Sequence, residues 1–237
     1  LKKNKSRSSS KKHFVGSEPG SRGKSVGLRI IGGKCRGTAL EYSGDHRVRP
    51  MKDRVREAVF NLIGPDVRGR HVIDLFAGTG ALAFEAISRG ALSATVLEIH
   101  FPTAEITRKN IDLLERRMPG CRESIHLITT DVFFWGQKIR EQDPGYPHVN
   151  PAVLPPEIPW LVFCSPPYDF YVSRKEELLL LLKTLRETAP ANSLFVIEAD
   201  NRFHFEDLQV AISPRKRKSY PPAEVGLFYT GTAAGES

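Results

Sequence analysis

No stretch of this chain stays apolar for the ~20 residues that a membrane-spanning helix requires, and no secretory apolar segment stands near its start. Cysteine is scarce. Cys35, Cys121 and Cys164 are odd in number, far apart and form no C-x-x-C pair, which argues against a disulfide framework and a zinc ribbon. The seven histidines show no ligand spacing, so no metal is expected. Internal repeats are missing too, which excludes a solenoid. What is left is a chain of the reducing cytoplasm with no membrane partner, read as a monomer. Its 237 residues suffice for one α/β domain with a full core.

Acidic residues are nearly missing from the first 24 positions. Eight Lys and Arg, from Lys2 to Lys24, face Glu18 alone and account for most of the net charge of +8. Residues 1–27 are also rich in Ser and Gly and poor in apolar side chains, the composition of a tail disordered when free. Such a tail can hold RNA phosphates without reading sequence, or be a solvated extension.

After the tail, Leu28–Ile31 and Thr38–Tyr42 flank Gly32-Gly33-Lys34-Cys35-Arg36-Gly37 and suggest a hairpin. Val55, Ala58, Val59, Leu62 and Ile63 recur at helical spacing, which predicts a buried face with Arg54, Arg56 and Glu57 on the other side. Asp53 opens this helix and Gly64-Pro65 stops it. Residues 28–64 thus form an extension ahead of a main domain, 65–237.

In that domain strands and helices alternate. Strands are expected at His71–Phe76, Ala94–Glu98, Ile125–Thr129, Trp160–Cys164, Ser193–Glu198, Leu208–Ile212 and Val225–Tyr229. Helices are expected at Ala81–Arg89, Pro102–Arg117 and Lys175–Glu187. This alternation predicts a mostly parallel seven-stranded sheet with helices on both faces, and ligands at the carboxyl ends of its strands. Asp74, Glu98, Asp131 and Ser165 all fall at such ends. Residues 136–159 carry six prolines, from Pro144 to Pro159, and read as a surface insertion.

The most informative segment is Asp74-Leu-Phe-Ala-Gly-Thr-Gly80, a strand breaking into a glycine turn that opens a helix. Glycines let the backbone approach a ligand, and the helix start offers free N–H groups. Gly78-Thr-Gly80-Ala-Leu-Ala83 also fits a dinucleotide fingerprint. Asp74 weighs against a pyrophosphate there. S-adenosylmethionine carries a sulfonium and an ammonium and no phosphate, and both cations suit Asp74. Glu98 is placed to accept from ribose hydroxyls. Asp131 can take an adenine amine or cap a helix at Val132–Phe134.

Ser165-Pro166-Pro167-Tyr168 is the catalytic candidate. Two prolines remove N–H donors and leave carbonyl acceptors that can bind an exocyclic amine, while an aromatic ring stacks on the base. Holding the amine in line with an already activated methyl group is most of the catalytic task.

These segments resemble the RsmD-type rRNA guanine-N2 methyltransferases, a class I, Rossmann-like family that uses S-adenosylmethionine. The matching pieces run in order: Leu28-Arg-Ile-Ile-Gly-Gly33, Arg36-Gly37, Arg49-Pro50, Asp53-Arg-Val-Arg-Glu57, Phe60-Asn61, the loop from Asp74, Glu85-Ala86, Ser88-Arg-Gly-Ala91 and Pro166-Pro-Tyr168. The resemblance implies N2 methylation of one guanine of 16S rRNA in the small subunit or its assembly intermediate. It maps cofactor binding to Asp74, Phe76, Ala77, Gly78, Gly80, Glu98, Asp131 and Val132, and the acceptor base to Ser165, Pro166, Pro167 and Tyr168. Arg29, Arg36, Arg49 and Arg54 are implied RNA contacts. Three positions depart from the family pattern. Ser165 replaces Asp or Asn, Met51-Lys52 replaces small hydroxyl residues, and Pro221-Pro222-Ala223-Glu224 replaces Tyr-Gly. Ser165 keeps two alternatives open: a slowed enzyme, or a non-catalytic rRNA-binding assembly factor that retains the cofactor. Methylation of an amine on another nucleic acid, such as adenine N6 in DNA, is a further alternative.

Overall fold

The alternating apolar runs and helical repeats fold as one sheet between two helical layers. A computed structural model of the protein describes residues 27–42, 44, 51–208 and 216–230. Seven strands, β1 (His71–Asp74), β2 (Ser93–Leu97), β3 (Ile125–Ile128), β4 (Trp160–Cys164), β5 (Leu194–Asp200), β6 (Lys216–Tyr220) and β7 (Ala223–Tyr229), lie in the order β3-β2-β1-β4-β5-β7-β6. β1 to β5 pair in parallel, and β7 runs antiparallel to both β5 and β6. β1 and β4 are buried along their whole length, as expected of strands covered on both faces. Alternate residues serve opposite layers. Val72 joins the core under α1 (Asp53–Ile63), α2 (Ala81–Ser88) and α3 (Phe101–Arg117), while Ile73 joins the core under α4 (Val132–Glu141) and α6 (Lys175–Thr188). A short α5 (Phe170–Ser173) precedes α6. This is the class I methyltransferase architecture, with strand order reversing between β1 and β4.

The extension is part of the first core. Leu28, Ile30, Cys35, Leu40, Val59, Phe60 and Ile63 pack with α2 and the sheet. The two arms of its hairpin meet at the antiparallel bridge Arg29 to Ala39 and bond through Ile30 N–H to the Thr38 carbonyl at 2.9 Å, Gly37 N–H to the Ile30 carbonyl at 2.8 Å and Leu40 N–H to the Leu28 carbonyl at 2.8 Å, while the loop between them also bonds to α2. Lys34 N–H donates to the Ser88 carbonyl at 2.8 Å and Cys35 N–H to Ser88 Oγ at 2.9 Å. Gly33 has φ +76°, and a Cβ there would lie 1.9 Å from the Ser88 carbonyl oxygen, so only glycine permits this approach.

Several sequence expectations are corrected. The buried stripe of α1 is rotated. Arg56, expected on the outer face, is buried with Val59, Phe60 and Ile63, because Glu85 of α2 offers a buried carboxylate. β1 stops at Asp74 rather than Phe76, where the ligand turn begins. The proline-rich insertion starts after Glu141, not at 136, since α4 has no proline and runs on. The insertion also has a structural task. Val153 and Leu154 are buried in the same core cluster as Trp135 and Trp160, and Trp135 Nε1 donates to the His148 carbonyl at 2.9 Å. Of the expected strand at Leu208–Ile212, Leu208 closes a 3-10 turn (Phe205–Leu208) and 209–212 lie outside the described residues; β6 pairs with β7 instead. The basic tail and Arg49 lie outside the described residues as well. Among the described residues no helix is long and apolar enough to cross a membrane.

Candidate active site

Where strand order reverses, the connections after β1 and β4 diverge and leave a crevice above their carboxyl ends. A cavity of about 600 Å³ occupies it. Its wall includes Phe76, Ala77 and Gly78 after β1, Glu98 after β2, Asp131 and Val132 after β3, and Ser165-Pro166-Pro167-Tyr168 after β4. The structure therefore brings most of the expected site residues into one space.

The glycine turn is held by hydrogen bonds with three side chains, Glu98, Thr107 and Asn110. Gly78 N–H donates to Glu98 Oε2 at 2.9 Å, and the Gly78 carbonyl accepts from Thr107 Oγ1 at 2.6 Å. The Thr79 carbonyl accepts from Asn110 Nδ2 at 3.1 Å. Gly78 and Gly80 have φ of 55° and 80°. A Cβ at Gly80 would stand 2.4 Å from the Phe84 ring.

Glu98 also accepts from His100 N–H, at 2.7 Å to Oε1. Each carboxylate oxygen keeps a further acceptor site, so the pair can still receive a vicinal diol. Burial pushes its carboxyl above the ordinary range, against the pull of these two N–H groups.

Asp74 is placed differently from the expectation. It does not line the cavity but lies beneath the turn, 1% exposed. Neither of its oxygens has a hydrogen bond of normal geometry. Burial pushes its carboxyl up to about 7, Glu98 adds to the rise, and the nearby N–H groups of Ala83 and Phe76 oppose it. The turn folds over the strand end, so any effect of Asp74 on a bound cation passes through the field and not through contact.

Asp131 takes the capping role foreseen as its alternative. Its Oδ1 accepts from Phe133 N–H at 2.7 Å and Phe134 N–H at 3.2 Å, opening α4. Its Oδ2 meets Arg174 at 3.2 Å. The Arg174 guanidinium lies 3.9 Å over the Phe133 ring and also pairs with Glu177. Phe76, Phe133 and Phe170 stand with ring centres 6.0–6.1 Å apart and form an aromatic wall.

On the acceptor side Ser165 is half-buried and Pro166 buried. Tyr168 Oη donates to Glu198 Oε1 at 2.9 Å, which fixes the ring at the cavity wall. The sequence reading missed Glu198 and Arg174. The rule that selected the other strand ends applies to Glu198 too, since it sits near the carboxyl end of β5. Arg174 carries no such signal. Met51, Lys52, Tyr220, Pro221 and Pro222 also line the cavity, so all three departures from the family pattern face it. Arg29, Arg36 and Arg54 are exposed and outside its wall; Arg29 pairs with Asp53 at 3.2 Å.

Comparison with known proteins places the chain and its fold. The family model described as conserved hypothetical protein 95 matches residues 28–141. Ribosomal RNA small subunit methyltransferase D of Haemophilus influenzae is 31% identical over 173 residues, 73% of this chain and 79% of that protein. The Escherichia coli K12 protein of the same name is 41% identical over 88 residues, 37% of this chain; that match spans 44% of the relative's length. Among solved structures, yhhF from Escherichia coli superposes with a TM-score of 0.66 at 24% identity, covering 87% of this chain and 99% of that one. An RNA methyltransferase from Salinibacter ruber in complex with S-adenosyl-L-homocysteine gives 0.52 at 15% identity, over 80% and 98%. By its length and identity, the Haemophilus match shows that the chain belongs to the ribosomal RNA small subunit methyltransferase D family.

Proposed function

We propose that this protein transfers a methyl group from S-adenosylmethionine to the exocyclic N2 amine of a guanine in 16S rRNA, within the small subunit or its assembly intermediate. The observation that carries this reading is one cavity that joins Glu98 to Ser165-Pro166-Pro167-Tyr168. Carbonyl and hydroxyl acceptors suited to an amine and a carboxylate suited to a ribose diol thus line a single space.

The residues fit the cofactor. Glu98, with two acceptor sites still open, would hold its ribose, Asp131 and Val132 would hold its adenine, and the aromatic wall would cover an apolar face. When bound, the cofactor supplies an activated methyl group. The chain's own residues then orient the acceptor. The target base leaves its stack and rests on Tyr168. Ser165 Oγ and the Pro166 carbonyl face the outer hydrogen of the amine, the one turned away from N1, and aim the nitrogen lone pair. Pro166 and Pro167 present no N–H that would compete for it.

The test uses rRNA from cells lacking the gene and methyl transfer to their small subunits. Loss of one N2-methylguanine, restored by purified protein, is expected. Unchanged N2-methylguanine at every site overturns the substrate assignment. Ser165 favours a second reading, an RNA-binding assembly factor that keeps the cofactor without turnover. Cofactor binding by calorimetry together with no methyl transfer to undermethylated subunits would decide for it.

A further inference from the structure

Three carboxylates line the cavity, and two of them are engaged in holding the protein together. Glu98 binds the glycine turn and His100 N–H, and Asp131 caps α4 and meets Arg174. Glu198 differs. It stands on the acceptor side, near the carboxyl end of β5 and across from the connection that carries Ser165. Its backbone is fixed, since its carbonyl accepts from Tyr171 Oη at 2.5 Å. Its Oε1 accepts from Tyr168 Oη at 2.9 Å, and no other described residue donates to its carboxylate.

Guanine presents N1–H and N2–H side by side on its Watson–Crick edge. Adenine presents an acceptor at N1. A carboxylate matches the guanine pair with two acceptors and repels the adenine edge. A serine hydroxyl offers no such fork, so Ser165 cannot make this distinction.

We propose that Glu198 is the residue that selects guanine, accepting from the N1–H and N2–H of the base stacked on Tyr168. This rests on the guanine reading above. It assigns to β5 the anionic acceptor that residue 165 lacks. Glu198 then acts on the base directly, beyond its hold on the tyrosine ring.

The test is steady-state methyl transfer to undermethylated small subunits by wild type, Glu198→Gln, Tyr168→Phe and the double variant, with calorimetry for S-adenosylmethionine beside it. Glu198→Gln turns one acceptor into a donor that faces the guanine donors. Its kcat is expected to fall at least tenfold, with the KM for subunits and the Kd for cofactor within about threefold of wild type, because charge-assisted bonds to the base are lost while docking contacts stay. In the Tyr168→Phe background the same substitution is expected to cost at least tenfold again. If it costs nothing there, Glu198 works only through the tyrosine hydroxyl and the inference is overturned. Wild-type turnover retained in Glu198→Gln overturns it as well. Failure of the guanine reading has a different signature: wild type that binds cofactor yet places no methyl on guanine N2.

Discussion

Arg56 and Glu85, both fully buried, face each other at 4.0 Å across the seam between the extension and α2. Glu85 also accepts from Ile31 N–H and Gly32 N–H, each at 2.7 Å, and from Arg89 Nε at 2.7 Å. Arg56 donates to the Arg29 carbonyl and pairs with Asp53 at 2.9 Å. The segments Leu28–Gly33, Asp53–Glu57 and Glu85–Arg89, separate in sequence, therefore meet in one network. Its product is the placement of Met51, Lys52 and Val55 on the cavity wall.

Removing the carboxylate at that centre leaves the Ile31 and Gly32 N–H groups without an acceptor, takes the partner of Arg89 Nε, and leaves the buried Arg56 with Asp53 as its one nearby carboxylate. Glu85→Ala is expected to lower unfolding stability by about 3–5 kcal/mol, the usual cost of breaking a buried pair from one side. Glu85→Gln keeps an acceptor and should lose less. Urea midpoints of the two variants measure this. A Glu85→Ala protein as stable as wild type would mean the seam carries no stability.

Asp74 gives a pH dependence of defined sign. Its carboxyl, pushed up to about 7 by burial, binds its proton more tightly in the folded state than in the unfolded chain. The folded protein holds the extra proton between the ordinary carboxylate value and about 7, so through this group stability falls as pH rises across that window. Over about three pH units the loss is at most about 4 kcal/mol. Asp74→Asn has no such slope and should gain on wild type in unfolding midpoint between pH 5 and pH 8. Parallel pH profiles for the two proteins would show that Asp74 is ionised and satisfied throughout.

The sheet and the glycine turn were legible because alternation and strand-end polarity are local signals. Glu98, Ser165 and Tyr168 share the cavity wall, as their positions at strand ends required. Arg56 was misplaced because helical periodicity counts apolar residues and cannot see a buried charge whose partner, Glu85, lies 29 residues later. Asp74 was assigned to the ligand because its position at the end of β1 is correct, but the turn that covers it is a matter of packing. The role of the insertion was hidden too. Val153 and Leu154 join the buried cluster that holds Trp135 and Trp160, and the Val153 carbonyl accepts from Thr95 Oγ1 at 2.9 Å, whereas prolines in sequence suggest a surface excursion.

The proposed acceptor role of Ser165 predicts a slowed enzyme that a longer, charged side chain should speed up. Ser165→Asp adds a charge-assisted acceptor beside the amine, where one such bond is worth about 1.5–3 kcal/mol. Turnover on undermethylated subunits should rise by about tenfold, the low end of the corresponding range, since Glu198 already places an anion on this side. Unchanged zero turnover with intact cofactor binding would favour the assembly-factor reading.

Gly80→Ala tests whether the turn must keep its shape. The residue has φ +80°, and the added methyl would meet the Phe84 ring at 2.4 Å. Left-handed strain and this overlap together should cost about 1–3 kcal/mol in stability. The cofactor Kd should rise with it, because relief moves Gly78 and Thr79 away from Glu98, Thr107 and Asn110. Thermal unfolding and calorimetry separate the two effects. A loss of stability without a change in Kd would mean the turn does not touch the cofactor.

Glu98 couples loop geometry to ligand binding, and two substitutions divide its roles. Glu98→Gln retains one acceptor for the Gly78 or His100 N–H but presents a donor where the other oxygen stood. The turn then keeps half its anchor, while a diol faces one acceptor instead of two. Glu98→Ala removes both anchors and both acceptors. If the carboxylate binds the ribose, S-adenosylmethionine Kd should rise about tenfold for Gln, consistent with losing one charge-assisted hydrogen bond, and further for Ala. Adenosine, which shares the ribose and lacks the methionine portion, should lose affinity by the same factors. If Glu98 serves only to hold Gly78, Glu98→Gln should bind both ligands within about threefold of wild type, and only Glu98→Ala, with the turn released, should weaken them.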